Sequence, residues 1–223
     1  MDLFAFWADV SPSDFIHPRD RRVLSRIDHS FSENVLPTPF FGPLRTARIV
    51  LLYLSPGLDD QDVVLAKQPV EQARFLATMK GTAPLPGPDD HLPAWKWWSS
   101  RTRRFGPWER MRNEVAVLDI SPYHSRTFKD WHALAALPSS RASLDWAQQT
   151  LFPQAERGER VVLCMRSPKW WGLGKKARYG EGLFVPAVGR GGHLNAANDE
   201  EMSRQDILDA VEAALSKPTF EQK

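Results

Sequence analysis

Residues 48–54 read RIVLLYL and run straight into Ser55-Pro56-Gly57. A near-continuous apolar run does not alternate between a core face and a wet face, so it describes a strand covered on both sides, as in a parallel sheet. Three more runs repeat the pattern. Residues 115–120 (VAVLDI) end at Ser121-Pro122-Tyr123-His124-Ser125, and residues 160–165 (RVVLCM) end at Arg166-Ser167-Pro168. Residues 182–188 (GLFVPAV) end at Gly189-Arg190-Gly191-Gly192-His193-Leu194-Asn195. Helical patterns lie between them. Residues 64–79 place Leu65, Ala66, Val70, Ala73, Leu76 and Ala77 broadly on one face, with Pro69 marking a helix start inside the segment. Residues 140–152 carry Leu144, Ala147 and Leu151, and Ser203 is placed to cap a last helix striped by Ile207, Leu208, Val211, Ala214 and Leu215 and stopped by Pro218. Strands alternating with helices predict an α/β fold, a three-layer sandwich with a mainly parallel central sheet of about four strands flanked by helices. A single domain over residues 1–223 is expected, with residues 1–45 as an N-terminal extension packing on it.

Composition narrows the function classes. Among 223 residues there is one cysteine, Cys164, which excludes an internal disulfide and the four thiolates of an iron–sulfur cluster and points to a reducing, cytoplasmic setting. No apolar stretch approaches the roughly 18 residues of a membrane span. The six histidines form no HxxxH or HExxH pair, so neither a metal nor any other cofactor is expected. Lys and Arg number 29 against 27 Asp and Glu, a net charge of +2, but the charge is unevenly spread. Residues 95–112, WKWWSSRTRRFGPWERMR, interleave Trp95, Trp97, Trp98, Phe105 and Trp108 with Lys96, Arg101, Arg103, Arg104, Arg110 and Arg112. Arginines pair with phosphates while aromatic faces stack on unpaired bases, so Trp98, Arg103 and Arg104 are candidate DNA contacts. An acid-free stretch from Arg160 to Arg178 adds Lys169 beside Trp170 and Trp171. For each aromatic taken alone, the plainer reading is a core residue.

Ligands of open parallel sheets bind beyond the carboxyl ends of the strands, which makes the four polar exits the candidate site. Their order resembles the uracil-DNA glycosylase superfamily, of which the chain reads as a divergent member over roughly residues 45–215. The GQDPYH or GxNPG motif after the opening strand is similar to Ser55-Pro56-Gly57. The N-x-x-P motif of the base-reading strand matches the spacing of Asp119-Ile120-Ser121-Pro122. The final HPSP-type motif matches the place of His193-Leu194-Asn195, and VVLCMRSPKWWGLGK (161–175) resembles the strand and helix start before it. The chain departs from the family at three points: Ser55 replaces the water-positioning acid or amide, Asp119 replaces the asparagine, and Leu85 stands where a stacking aromatic is usual.

The resemblance implies a monofunctional DNA glycosylase of base excision repair, acting as a monomer on DNA bearing a uracil or other deaminated base. Such a site flips the nucleotide out, holds a water below the sugar and donates to the departing base. His193 is then the residue that supports the leaving base, while Ser55 positions water and Asp59 is the base if one is needed. Asp119, Tyr123, Asn195 and Leu85 line the base pocket. Ser125, Arg190, Gly191, Gly192 and Leu194 contact the DNA backbone. An ionised Asp119 only accepts hydrogen bonds and repels a uracil O4 unless protonated. Two alternatives remain: a non-catalytic nucleic-acid-binding protein of the same fold, and an unrelated α/β hydrolase.

Overall fold

The computed structural model describes residues 2–90, 92–189, 193–194 and 203–217. Its sheet is built from β1 (Phe40–Phe41), β2 (Ile49–Tyr53), β3 (Val115–Asp119), β4 (Val161–Cys164), β5 (Arg178–Tyr179) and β6 (Leu183–Phe184). The order across the sheet is β1-β3-β2-β4-β6-β5. All four apolar runs became strands, and β3, β2, β4 and β6 lie side by side in parallel. The expectation of about four strands is corrected to six, because two-residue strands add antiparallel edges, β1 on β3 and β5 on β6. Phe40 and Arg178 sit in segments too short to show a period of two, so their pairing comes from tertiary position alone.

Successive side chains of a strand point to opposite faces, and here each face has its own core. Val50, Leu52, Ala116, Leu118, Val162 and Cys164 enter one cluster with Trp7, Trp146, Leu151 and Phe152. Ile49, Leu51, Tyr53, Val117 and Leu163 enter the other with Leu85, Met111, Ile207, Val211 and Leu215. Each face is buried in its own cluster, which is why the runs read as continuously apolar. Part of the N-terminal segment is drawn into the same packing, while Leu24 and Phe31 join a separate cluster with Tyr123, Ala133 and Leu137. Leu3, Phe4, Phe6 and Trp7 of the helix Leu3–Trp7 are buried in the first cluster. His17 is stacked on Phe6 and bonded through Nε2 to the Phe6 carbonyl, and burial holds its pKa below the usual value.

Local signals explain the helix ends. The pattern over 64–79 is two helices, Asp60–Leu65 and Pro69–Met79, and Pro69 opens the second. Gly81, at φ +72, follows its end and donates to the Thr78 carbonyl. A Cβ there would fall 2.3 Å from the Phe4 ring, so this glycine also lets the N-terminal helix dock. The segment 140–152 is the helix Pro138–Trp146, a π-turn Ala147–Leu151 and the helix Phe152–Glu156. Pro153 supplies no N–H to continue the regular ladder. Ser203 caps Arg204–Ser216 in a capping box with Asp206. No helix among the described residues is long and apolar enough to cross a membrane.

Candidate active site at the ends of β2 and β3

A cavity of about 550 Å³ opens beyond the carboxyl ends of β2 and β3, within the range of small-ligand pockets. Tyr53, Ser55, Pro56, Gly57 and Asp59 reach it from β2 and its exit; Val117, Asp119 and His124 reach it from β3 and its exit. Val35, Leu36, Thr38 and Phe41 come from the N-terminal segment, and Trp97 and Trp98 come from the helix Pro93–Thr102. The basic and aromatic segment therefore forms one wall. Trp97 is 44% exposed, with the Arg101 guanidinium 3.0 Å above its ring, while Trp98 packs edge-on against Tyr53.

Asp119 is the chemical oddity of the cavity. It ends β3 on the face that also carries Tyr53 and Val117, it is 5% exposed, and its Oδ1 is buried without a hydrogen-bond partner. Burial with no compensating bond pushes its pKa well above the carboxylate range. Burial thus favours the protonated form, which carries one donor and one acceptor. The Tyr53 hydroxyl, also buried and without a partner, lies close enough to feel Asp119, and burial raises its pKa too. Two buried polar groups without partners in one cavity mark a place where a ligand would complete the hydrogen bonding.

Only part of the expected site converges here. Ser55 lines the cavity half-buried, and Asp59 lines it from the N-cap of Asp60–Leu65. The Asp59 carboxylate accepts from the Gln61 N–H at 2.9 Å while Asp62 accepts from the Asp59 N–H at 2.7 Å, so Asp59 is committed to the cap. Leu85 is fully buried on the sheet face, away from the cavity wall, and its carbonyl accepts from Arg112 Nε. The aromatic rings on the cavity wall include Trp97 and Trp98, which the composition of residues 95–112 had singled out, and Phe41, which no motif indicated.

Tyr123 is 1% exposed in a separate cluster with Leu24 and Phe31. Its hydroxyl donates to Asp20 Oδ2 at 2.6 Å and accepts from the His17 N–H, which makes it an internal tie rather than a base contact. Tyr123→Phe is expected to cost about 1.5–3 kcal/mol of stability, the value of a hydrogen bond to a buried charge. Urea unfolding measures the loss, and an unchanged midpoint would return Tyr123 to the list of ligand contacts.

His193 is exposed and is not among the residues lining the cavity. Partial desolvation and the nearby Arg101 and Arg103 charges lower its pKa. Leu194 pairs with Val188 in an isolated bridge, and Ser125 is buried opposite Gly57 in another. Arg103 and Arg104 are exposed just past the Pro93–Thr102 helix. Lys169 is exposed over Trp170, which stacks on Trp131 outside the cavity. Arg190, Gly191, Gly192 and Asn195 lie outside the described residues. Arg160, counted with the basic stretch, is wholly buried and donates to the Leu44 and Arg45 carbonyls. Cys164 is buried too, its thiol pushed up to about 12. Among the described residues no group of His, Cys, Asp and Glu could hold a metal ion.

Comparisons with family models, curated proteins and solved structures found no match for this chain. The functional reading therefore rests on the cavity.

Proposed function

We propose that the chain is a DNA glycosylase that hydrolyses the N-glycosidic bond of a flipped uracil or other deaminated base. With this goes the finer reading of the fold, a three-layer sandwich on the four parallel strands. The observation that carries it is Asp119, a buried carboxyl whose Oδ1 has no hydrogen-bond partner, on the wall of an aromatic-lined cavity. A neutral carboxyl offers O–H and C=O side by side and complements a base edge that presents an N–H beside a carbonyl, as uracil and hypoxanthine do. The objection to Asp in place of asparagine, repulsion of the base oxygen by a carboxylate, does not apply to the protonated form that burial favours. Trp97, Trp98 and Phe41 supply stacking surface worth about 1–3 kcal/mol per base.

The test is a set of single- and double-stranded oligonucleotides bearing uracil, hypoxanthine, xanthine or oxidised bases, incubated with the full chain and then treated with alkali. Alkali-labile abasic product above a heat-killed control is expected for at least one deaminated base. No product on any lesion sinks the enzyme reading. One observation favours the non-catalytic alternative: His193, assigned to the leaving base, is exposed and off the cavity wall. That alternative predicts salt-sensitive binding to the same oligonucleotides with no product.

A further inference from the structure

The cavity holds a second set of polar groups that the base-reading assignment does not use. His124, from the exit of β3, places Nδ1 2.6 Å from the Gly57 carbonyl oxygen and Nε2 3.0 Å from Thr38 Oγ1. A carbonyl only accepts, so Nδ1 carries the hydrogen. In the neutral ring Nε2 is then the acceptor, and the Thr38 hydroxyl, which also lies 3.4 Å from the Leu36 carbonyl oxygen, donates to it over the shorter distance. Three separated segments meet in this chain of bonds: the N-terminal segment, the exit of β2 and the exit of β3. All three residues line the cavity.

The charge on the imidazole is set by its neighbours. Burial disfavours the imidazolium, and the Asp62 carboxylate favours it. Asp62 is held by the capping bond to the Asp59 N–H. Asp60 is engaged by Arg126, Asp59 is engaged by the Gln61 amide, and Gly57 and Thr38 face the ring uncharged. An imidazole with one nitrogen fixed, the other bonded to a hydroxyl and an acid nearby has the arrangement that takes up a proton during nucleophilic attack.

The geometry points to His124 as the general base of this site, acting through the Thr38 hydroxyl on the attacking water, with Asp62 stabilising the imidazolium. This rests on the glycosylase reading and supplies the base that Ser55 cannot be and that Asp59, tied into its cap, is not. In the step, the water gives a proton to Thr38 Oγ1 as Thr38 passes its own to His124 Nε2. The water oxygen bonds to C1′ of the sugar. The C1′–N bond breaks with its electron pair leaving on the base, and that anion finally takes one proton, which restores neutral His124.

The experiment uses the full chain and the lesion oligonucleotide that the wild type processes, with single-turnover rates measured from pH 4.5 to 9. His124→Gln and Thr38→Val are expected to lower the rate at pH 7.5 roughly 100-fold, the lower range for general base catalysis. Thr38→Ser is expected to remain within a few-fold of wild type. The wild-type rate should fall on the acid side as the imidazole charges, and His124→Gln should lose that acid limb. Thermal unfolding of each variant separates a lost base from a lost fold. A folded His124→Gln at the wild-type rate, or one that keeps the acid limb, overturns the assignment and leaves the glycosylase reading standing. A wild type that releases no base from any oligonucleotide overturns both.

Discussion

Arg160→Ala is expected to destabilise the fold by about 3–5 kcal/mol. The guanidinium is completely buried at the start of β4, donates from Nη1 to the Leu44 carbonyl at 2.8 Å and bonds the Arg45 carbonyl through Nη2. Desolvation brings its pKa down to about 10, still far enough above neutrality for the charge to persist. Truncation leaves two carbonyls short of a donor, at roughly 1–3 kcal/mol each, and opens a void where the aliphatic stem packed. Urea unfolding at pH 7.5 measures the effect. Lys169→Ala and Arg103→Ala, on exposed positions, should stay within about 0.5 kcal/mol of wild type. Were Arg160→Ala as stable as wild type but weaker on DNA, the arginine would belong to the interface rather than to the core.

Asp119→Asn is expected to stabilise the free protein at pH 7.5 by about 1–3 kcal/mol, with the gain growing as pH rises. Burial raises the folded-state pKa of Asp119 above its unfolded value. Above the ordinary carboxylate range the folded chain therefore holds a proton that the unfolded chain has released. Folding then loses up to about 1.4 kcal/mol per pH unit until the folded pKa is passed. An amide carries no such penalty, so the variant and wild type converge near pH 4 and separate toward pH 8. Denaturant midpoints over that range decide it. A variant less stable than wild type at pH 8 would mean that Asp119 is ionised and partnered. In the lesion assay the same variant should act more strongly on uracil, because its amide donates and accepts at any pH. Unchanged selectivity removes Asp119 from base reading.

How far the site was legible depended on where each residue type draws its meaning. Asp119 was visible as an acid at the end of an apolar run, but its charge state was not, because burial belongs to the packed fold. Tyr123 and Arg160 stood in polar exits and basic stretches and read as contacts, yet both are consumed by long-range hydrogen bonds, to Asp20 and to residues 44 and 45. Phe41 and Thr38 carried no signal at all. Phe41 enters the cavity because a two-residue edge strand pairs with β3, and Thr38 because its N–H donates to the Pro122 carbonyl at 2.7 Å.

The sequence alone determined the four parallel strands, the places of their polar exits, Pro69 as a helix start and the Ser203 cap. Each of these follows from local rules: two-sided burial makes a run continuously apolar, a missing N–H opens a helix, and a hydroxyl satisfies its first amides. Only the tertiary structure decided which exits share a cavity, which cations are buried, and that Thr38, Gly57 and His124 form one hydrogen-bonded chain. Those outcomes depend on contacts between residues up to 167 positions apart, and on desolvation, which no local pattern encodes.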